Sequence, residues 1–413
     1  MRAELKSGAS TLLAIAIVAG ACGPAAAPGA TTASQAPAAS QAPQLRPGEV
    51  YKVGLSAAIT GPVASTYGPS YEGFKAYIDR LNERGGIDGR VVEIVALDDR
   101  SEPPRATTNA KRLVEEEKVL LLLSNSSSAT YAPMIGAAKG GSTPLLFMGS
   151  AVCPGDVLPP RPDPLLFCAS FNILTADAGA MVKAIGDLKG SRELKLGLVA
   201  MDIPVSKQGV DLIETQAKAA GMEVVSKFAT PPTTTEYTPF ATRLSDAKAT
   251  FAAHWAPLEV GIGMFGALSK IGWPGLYVAV ASPTAEQEVA RFKQQNFYVM
   301  PSYSFAVDGL PVFKDIEAAG KKSGVSSPAD ALSIGWVGGA AVEAALRQCG
   351  WPCDKVKLRD AMEKVKVETG GIFGGPIDWS PGNHVRSAAF YRVYRWDGSK
   401  VALVKDWFKI DIK

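Results

Sequence analysis

Read for its alternation of apolar and polar positions, the chain from Tyr51 onward is a series of short apolar runs separated by amphipathic stretches. YKVGLSAA predicts a strand and Thr60-Gly61-Pro62 a turn; a long amphipathic segment, the GGIDG turn and VVEIVALDD predict a helix and a second strand. VLLLL (119–123), a helix from about Ser128 and PLLFMG (144–149) follow, and then a proline-rich stretch breaks the pattern. A second series starts at LKLGLVAM, with helices over 206–220, 239–245 and 258–271 alternating with MEVVSKF, TFAAHW, GLYVAV and NFYVMPSY. The tail differs: 311–367 reads as mostly helical, and SAAFYRVYRW and KVALVKDWFKI predict an antiparallel hairpin turned at Asp397-Gly398. Strands alternating with helices build parallel sheets. Two such series predict an α/β fold of two doubly wound parallel-sheet lobes joined by a hinge.

The head fits no such fold. Arg2 and Lys6 precede an apolar run over 11–21. A membrane-spanning helix needs roughly 20 apolar residues, so 1–21 is expected to be a removed signal peptide. Ala19-Gly20-Ala21 suits an ordinary signal peptidase; followed by Cys22 it also resembles a bacterial lipobox, with Ala19 where Leu, Val or Ile is usual. Residues 22–49, rich in Ala, Pro, Ser, Thr and Gln, have too few large apolar groups to pack and predict a flexible linker. A linker has an obvious use beside an anchor. Cys22 is therefore the expected lipidation site, holding an exported protein to membrane lipid in the periplasm or at the outer face of the cytoplasmic membrane.

Cysteine use agrees with export. Without Cys22 there remain Cys153, Cys168, Cys349 and Cys353, which can pair three ways. The expected pairing is between neighbours, Cys153 with Cys168 across the proline-rich loop and Cys349 with Cys353. Three residues separate the latter pair, one more than in a thioredoxin-type motif, so a structural staple is expected there.

Composition removes whole classes of function. Lys and Arg number 43 against 40 Asp and Glu, with no basic stripe of the kind phosphate binding needs, so nucleic acid is not an expected partner. The two histidines, His254 and His384, lie in no triad context, and there is no GxSxG, P-loop, HExxH or zinc-spaced set. Neither catalysis, metal nor cofactor is expected, and Asp98-Asp99 at the second strand's end reads as capping or hinge hydrogen bonding. Ser126-Ser127-Ser128, between a strand and a helix, has chemistry: a hydroxyl and unpaired N–H groups at a helix start can face an anion. A plain N-cap serine is the other reading of the same residues.

The run VGLSAAITGPVASTYGPSYEGFKAYIDRLNERGGIDGRVVEIVALDD, followed in order by SSSATYAP, PLLFMGSA, the helix-rich segment around 331–361 and GGPIDWSPGNH, resembles the type I periplasmic solute-binding proteins of ABC transporters, branched-chain amino acid (Leu/Ile/Val)-binding family. The resemblance covers essentially everything after Val50. It implies one lobe from 50–171 with 303–377 and another from 172–302 with 378–413, a monomer that closes on a small-molecule ligand and serves ABC permease subunits in the membrane. It also implies a site: Ser128 and, more weakly, Thr130 for a ligand carboxylate; Gly149, Ser150 and Ala151 for a second contact; Tyr67 and Trp255 as cleft aromatics. Ser282 stands where the amino-acid binders carry an acid for the ligand's ammonium, and Ala151 where a hydroxyl is usual. A desolvated ammonium needs a carboxylate. Asp202 is the remaining source, and a small carboxylate or other polar organic solute is expected in place of a branched-chain amino acid. A ligand-sensing receptor of the same fold is the alternative.

Overall fold

The computed structural model describes residues 46–280 and 284–412; Cys22 and Ser282 lie outside them. Lobe 1 is built on five parallel strands, β1 (Val50–Ala57), β2 (Val91–Asp98), β3 (Leu121–Asn125), β4 (Leu145–Phe147) and β5 (Leu166–Cys168), in the order β2-β1-β3-β4-β5. β3, β4 and β5 are buried at every residue, which is why their sequences are unbroken apolar runs: helices cover both faces. These are α1 (Ala64–Glu83), α2 (Pro103–Lys111) and α3 (Tyr131–Gly140).

Lobe 2 takes α4 (Leu174–Leu188), β6 (Lys195–Met201), α5 (Pro204–Ala219), β7 (Glu223–Thr230), α6 (Thr238–Asp246), β8 (Phe251–Trp255), α7 (Leu258–Lys270), β9 (Leu276–Val280), α8 (Ala285–Phe292) and β10 (Phe297–Met300). Its parallel strands run β7-β6-β8-β9-β10, the same winding as lobe 1. The chain then returns to lobe 1 as α9 (Pro311–Lys322), α10 (Ala329–Cys349), α11 (Lys355–Met362) and the short pair β11 (Lys366–Val367) and β12 (Ile377–Asp378). α1 packs on α9 and α10, and crosses α10 so closely that a methyl at Gly73 or Gly335 would overlap the other helix's backbone. Finally β13 (Ala388–Trp396) and β14 (Val401–Asp411) form the antiparallel hairpin, and β13 pairs with β10 at the edge of the second sheet. Asp397 holds the turn by accepting from the backbone N–H groups of Ser399 and Lys400.

Three segments cross between the lobes: 169–173, 301–310 and 379–387. They are bonded together, since the Phe171 carbonyl accepts from Ser302 Oγ at 3.0 Å and Arg386 Nη2 at 3.3 Å.

The proline-rich stretch is more than a break. It leads into β5, and the Cys153–Cys168 disulfide ties the two ends of that loop together. A three-residue strand behind so many prolines leaves no periodicity to read; α4, which follows it across the first crossover, is buried on most of its turns. Cys349–Cys353 is the second disulfide. It closes the turn after α10, where Trp351 meets the Tyr51 ring edge-on at 5.3 Å and lies under the Arg90 guanidinium at 4.9 Å.

Candidate functional site

In both sheets the winding reverses beside the first strand, between β1 and β3 and between β6 and β8. Crevices at the carboxyl ends of such strands are where doubly wound sheets take ligands. In lobe 1 the loops at that point carry Ser126, Ser127 and Ser128 after β3, the start of α1 with Tyr67 after β1, and the turn after β2.

A hydrogen-bond network sets the polarity of this corner. Buried Asp99 accepts from Ser56 Oγ and Ser126 Oγ, each at 2.7 Å, and from the Ser101 N–H at 2.8 Å. Burial raises its pKa, and these three bonds work against the rise. Ser101 Oγ accepts from the Ser127 N–H at 3.2 Å and donates to Ser127 Oγ at 2.5 Å. Since Ser127 Oγ is an acceptor there, its own proton is free to point away. Ser128 opens a single 3-10 turn ahead of α3, is half-buried, and its hydroxyl makes no hydrogen bond to another described residue. Thr130 is buried and donates to the Ser127 carbonyl at 2.9 Å. Tyr67 is buried close by; burial raises its phenol pKa, and Asp99 adds to the rise. Asp98 fastens the rim. Burial works against its ionised form, but bonds from Thr60, Arg100 and Ile59 outweigh it and hold the carboxyl below its ordinary value.

The 149–151 turn is built differently from the expected contact. Gly149 has φ +63°, and a Cβ there would lie 2.6 Å from both Asn125 Oδ1 and Ser70 Cβ, so glycine is required. The Ser150 N–H donates to Asn125 Oδ1 and the Ala151 N–H to the Met148 carbonyl. Ser150 Oγ pairs with Ser70 Oγ at 2.7 Å. The Ser150 and Ala151 N–H groups are thus satisfied inside lobe 1, and the turn buttresses the serine corner through Asn125 and Ser70.

In lobe 2 the structure turns Trp255 inward. Its indole N–H donates to Asp177 of α4 at 3.1 Å and its ring lies against Gly209 of α5, so it is core and not a cleft wall. Asp202 is exposed and engaged by Lys207 Nζ at 2.8 Å. His254 is fully buried against Gly261 of α7 instead of facing a ligand, and burial lowers its pKa to about 3, so the ring is neutral. Between the lobes, Ser65 Oγ of α1 donates to Glu259 Oε1 at the start of α7, 3.0 Å away. Ser127 belongs to the serine run singled out in the sequence, whereas Ser101 and the Ser65–Glu259 bridge carry no local signal there. Among the described residues no cluster of His, Cys, Asp or Glu is arranged to hold a metal, and no helix is long and apolar enough to cross a membrane.

Two doubly wound lobes with facing strand ends and three crossovers define a two-lobed binding protein. Residues 50–400 match the family model described as periplasmic binding protein, and the chain belongs to that family of solute-binding proteins. No curated protein matches the sequence. Solved structures do match. A branched-chain amino acid ABC transporter protein from Thermus thermophilus with bound valine is similar over 87% of this chain and 96% of its own, at 16% identity and TM-score 0.75. The solute-binding protein of an ABC transporter from R. palustris, in complex with 4-hydroxybenzoate, is similar over 88% and 98%, at 16% identity and TM-score 0.71. The branched-chain amino acid transporter substrate-binding protein of Streptococcus pneumoniae, in complex with isoleucine, is similar over 87% and 100%, at 17% identity and TM-score 0.70. At these identities the likeness establishes the fold.

Proposed function

We propose that this chain is the extracytoplasmic substrate-binding component of an ABC importer, capturing a small organic carboxylate between its lobes and delivering it to a membrane permease. Residues 50–171 with 303–377 form the docking lobe, and 172–302 with 378–413 swing over the ligand on the three crossovers. The observation that carries this reading is the pair of half-buried serines, Ser127 and Ser128, at the switch point of the first sheet, whose hydroxyls donate to no other described residue. Donors at the start of a helical segment suit an anion. Valine, isoleucine and 4-hydroxybenzoate, the solutes bound by the three similar structures, all carry a carboxylate.

An amino acid's ammonium needs a free acid as well. Asp202 is already paired with Lys207, and in the sequence Ser282 stands where the amino-acid binders carry an acid. That favours a carboxylate without an α-ammonium. The reading assigns no catalytic residue and no cofactor. A monomer anchored through acylated Cys22 would keep the receptor near its permease at high effective concentration.

The test is to purify the protein, identify co-purified small molecules by mass spectrometry, and titrate 4-hydroxybenzoate and leucine by calorimetry. Carboxylates lacking an ammonium should bind more tightly. Tight binding of leucine, isoleucine or valine would overturn the ligand class.

A further inference from the structure

The start of the fold and the disulfide turn after α10 meet at one pole of lobe 1. Arg46, the first described residue, donates its N–H to the Gly89 carbonyl at 2.7 Å, and Glu49 pairs with Arg90 at 2.5 Å. The Arg90 guanidinium lies over the Trp351 ring, and Trp351 meets the ring of Tyr51, the second residue of β1. The chain therefore enters the fold beside Trp351. From Tyr51, β1 runs roughly 20 Å to Ala57, towards the serine corner. The pole lies at the amino ends of the strands, and the ligand crevice lies at their carboxyl ends.

This pole exposes apolar and basic groups together. Six large apolar side chains of the described residues are exposed, and two of them are close neighbours here: Trp351 is 40% exposed and Val356, in α11, is 57% exposed. The Cys349–Cys353 disulfide closes the turn that carries Trp351, and Tyr51 and Arg90 hold one side of its ring. Lys357 donates to the Pro352 carbonyl at 3.3 Å and Lys355 to the Gly141 carbonyl at 3.0 Å. Among the described residues neither these lysines nor Arg46 forms an ion pair, whereas Glu49 holds Arg90 and Glu343 holds Arg347. Beneath the indole the buried Tyr51 hydroxyl has no partner among the described residues, so an unmet donor lies under the patch. A rigidly held tryptophan with an apolar neighbour and free cations suits a membrane interface, where indoles sit at headgroup depth and Lys and Arg meet lipid phosphates.

We propose that this pole docks on an anionic membrane surface, with Trp351 and Val356 entering the headgroup layer and Arg46, Lys355 and Lys357 facing lipid phosphates. The tether selects this occupant. From the expected lipidation site, Cys22, to Leu45 there are 24 residues, and a coil of that length spans about 27 Å before the chain reaches Arg46. Lipid then stands at an effective concentration on the order of millimolar beside the patch, where contacts too weak to hold a free protein suffice. A permease must meet the crevice that holds the solute, and the crevice is at the other end of these strands. Docked by this pole, the receptor keeps the crevice open to solute. The proposal rests on the anchored form of the transport reading but not on its ligand.

Cys22 is the only cysteine outside the two disulfides, so the mature chain that starts there can be coupled through its thiol to a maleimide lipid. The vesicles are phosphatidylglycerol with phosphatidylethanolamine, with or without brominated acyl chains, and the readout is tryptophan emission. Brominated lipid should lower the emission of the tethered protein. Trp351→Ser should lose most of that drop, and Val356→Glu with Lys357→Glu, which leaves the indole in place, should reduce it. Emission that brominated lipid does not change, or a Trp351→Ser variant quenched as much as the native protein, overturns the docking. A dimer of the untethered protein that Trp351→Ser abolishes would give the patch to a second copy, and crosslinks from position 356 to protein and not to lipid would give it to the permease; either overturns the membrane as occupant. Mass spectrometry of the protein from its own cells tests the anchor separately. An unmodified Cys22 sinks the anchored form of the transport reading and this docking with it, whereas an acylated Cys22 without quenching sinks the docking alone.

Discussion

The indole N–H of Trp255 donates to Asp177 Oδ2 at 3.1 Å, while the Tyr391 hydroxyl donates to Oδ1 of the same carboxylate at 2.7 Å. One buried acid thereby joins the end of β8, the first helix after one crossover and the first strand after another. Arg386, also buried, adds its charge within electrostatic range of Asp177, stacks 4.8 Å above the Phe373 ring and donates to the Phe171 carbonyl. The aromatic at the end of β8 is a rivet of lobe 2 at the base of the hinge.

Replacing Asp177 with Ala should therefore destabilise the fold strongly. It leaves the Trp255 N–H and the Tyr391 hydroxyl without partners and the Arg386 charge uncompensated, and breaking a buried charged cluster costs about 3–5 kcal/mol. Urea unfolding measures this directly. A loss under about 1 kcal/mol would mean that water or a rearranged side chain replaces the carboxylate.

The same residue gives stability a pH slope. Burial is the main cause that lifts Asp177 from 3.8 to about 6, with the Tyr391 and Trp255 bonds opposing it. A raised pKa means that the folded state binds more protons than the unfolded state between those two values. Its contribution to stability is fully present below about pH 4 and declines as pH rises through about 6. Asp177→Asn should flatten that part of the stability curve in paired unfolding experiments. An unchanged slope would remove Asp177 as its source.

The two disulfides should differ in worth. Cys153 and Cys168 are 15 residues apart and Cys349 and Cys353 are 4 apart. Loop-closure entropy gives about 3 kcal/mol for the first and about 2 kcal/mol for the second. Cys153→Ser with Cys168→Ser should lower the unfolding midpoint more than Cys349→Ser with Cys353→Ser. The reverse order would show that packing of Trp351 on Tyr51 and Arg90 matters more than loop length.

Legibility in the sequence followed period and length. Strands such as β1 and β6 and the β13–β14 hairpin stand out because their apolar runs are long and bounded by glycine or polar turns. β5 is three residues long, too short to show a period. Ser128 is visible because a serine run between strand and helix is a local signal. The inward turn of Trp255 is invisible because its partner, Asp177, is 78 residues away in the chain. Gly149 announces a special backbone but not that the N–H groups after it bond to Asn125 and Met148.

The serine corner supplies the last prediction. Ser127→Ala removes both the proposed ligand donor and the acceptor of Ser101, whereas Ser128→Ala removes only a hydroxyl that has no partner among the described residues. A hydrogen bond to a charged ligand group contributes about 1.5–3 kcal/mol, and an ordinary one about 1 kcal/mol. For a carboxylate solute found by co-purification, Ser128→Ala should weaken binding by roughly 1–2 kcal/mol, a factor of about 5–30 in Kd, with unfolding stability unchanged. Ser127→Ala should weaken it at least as much and also lower stability slightly, because Ser101 loses an acceptor. Thr130→Val tests the structural bond to the Ser127 carbonyl and should act through stability. Calorimetry beside thermal unfolding separates the two roles. If Ser128→Ala leaves Kd unchanged while Ser127→Ala weakens binding, the contact belongs to Ser127 alone; if neither changes Kd, the carboxylate does not dock at this corner.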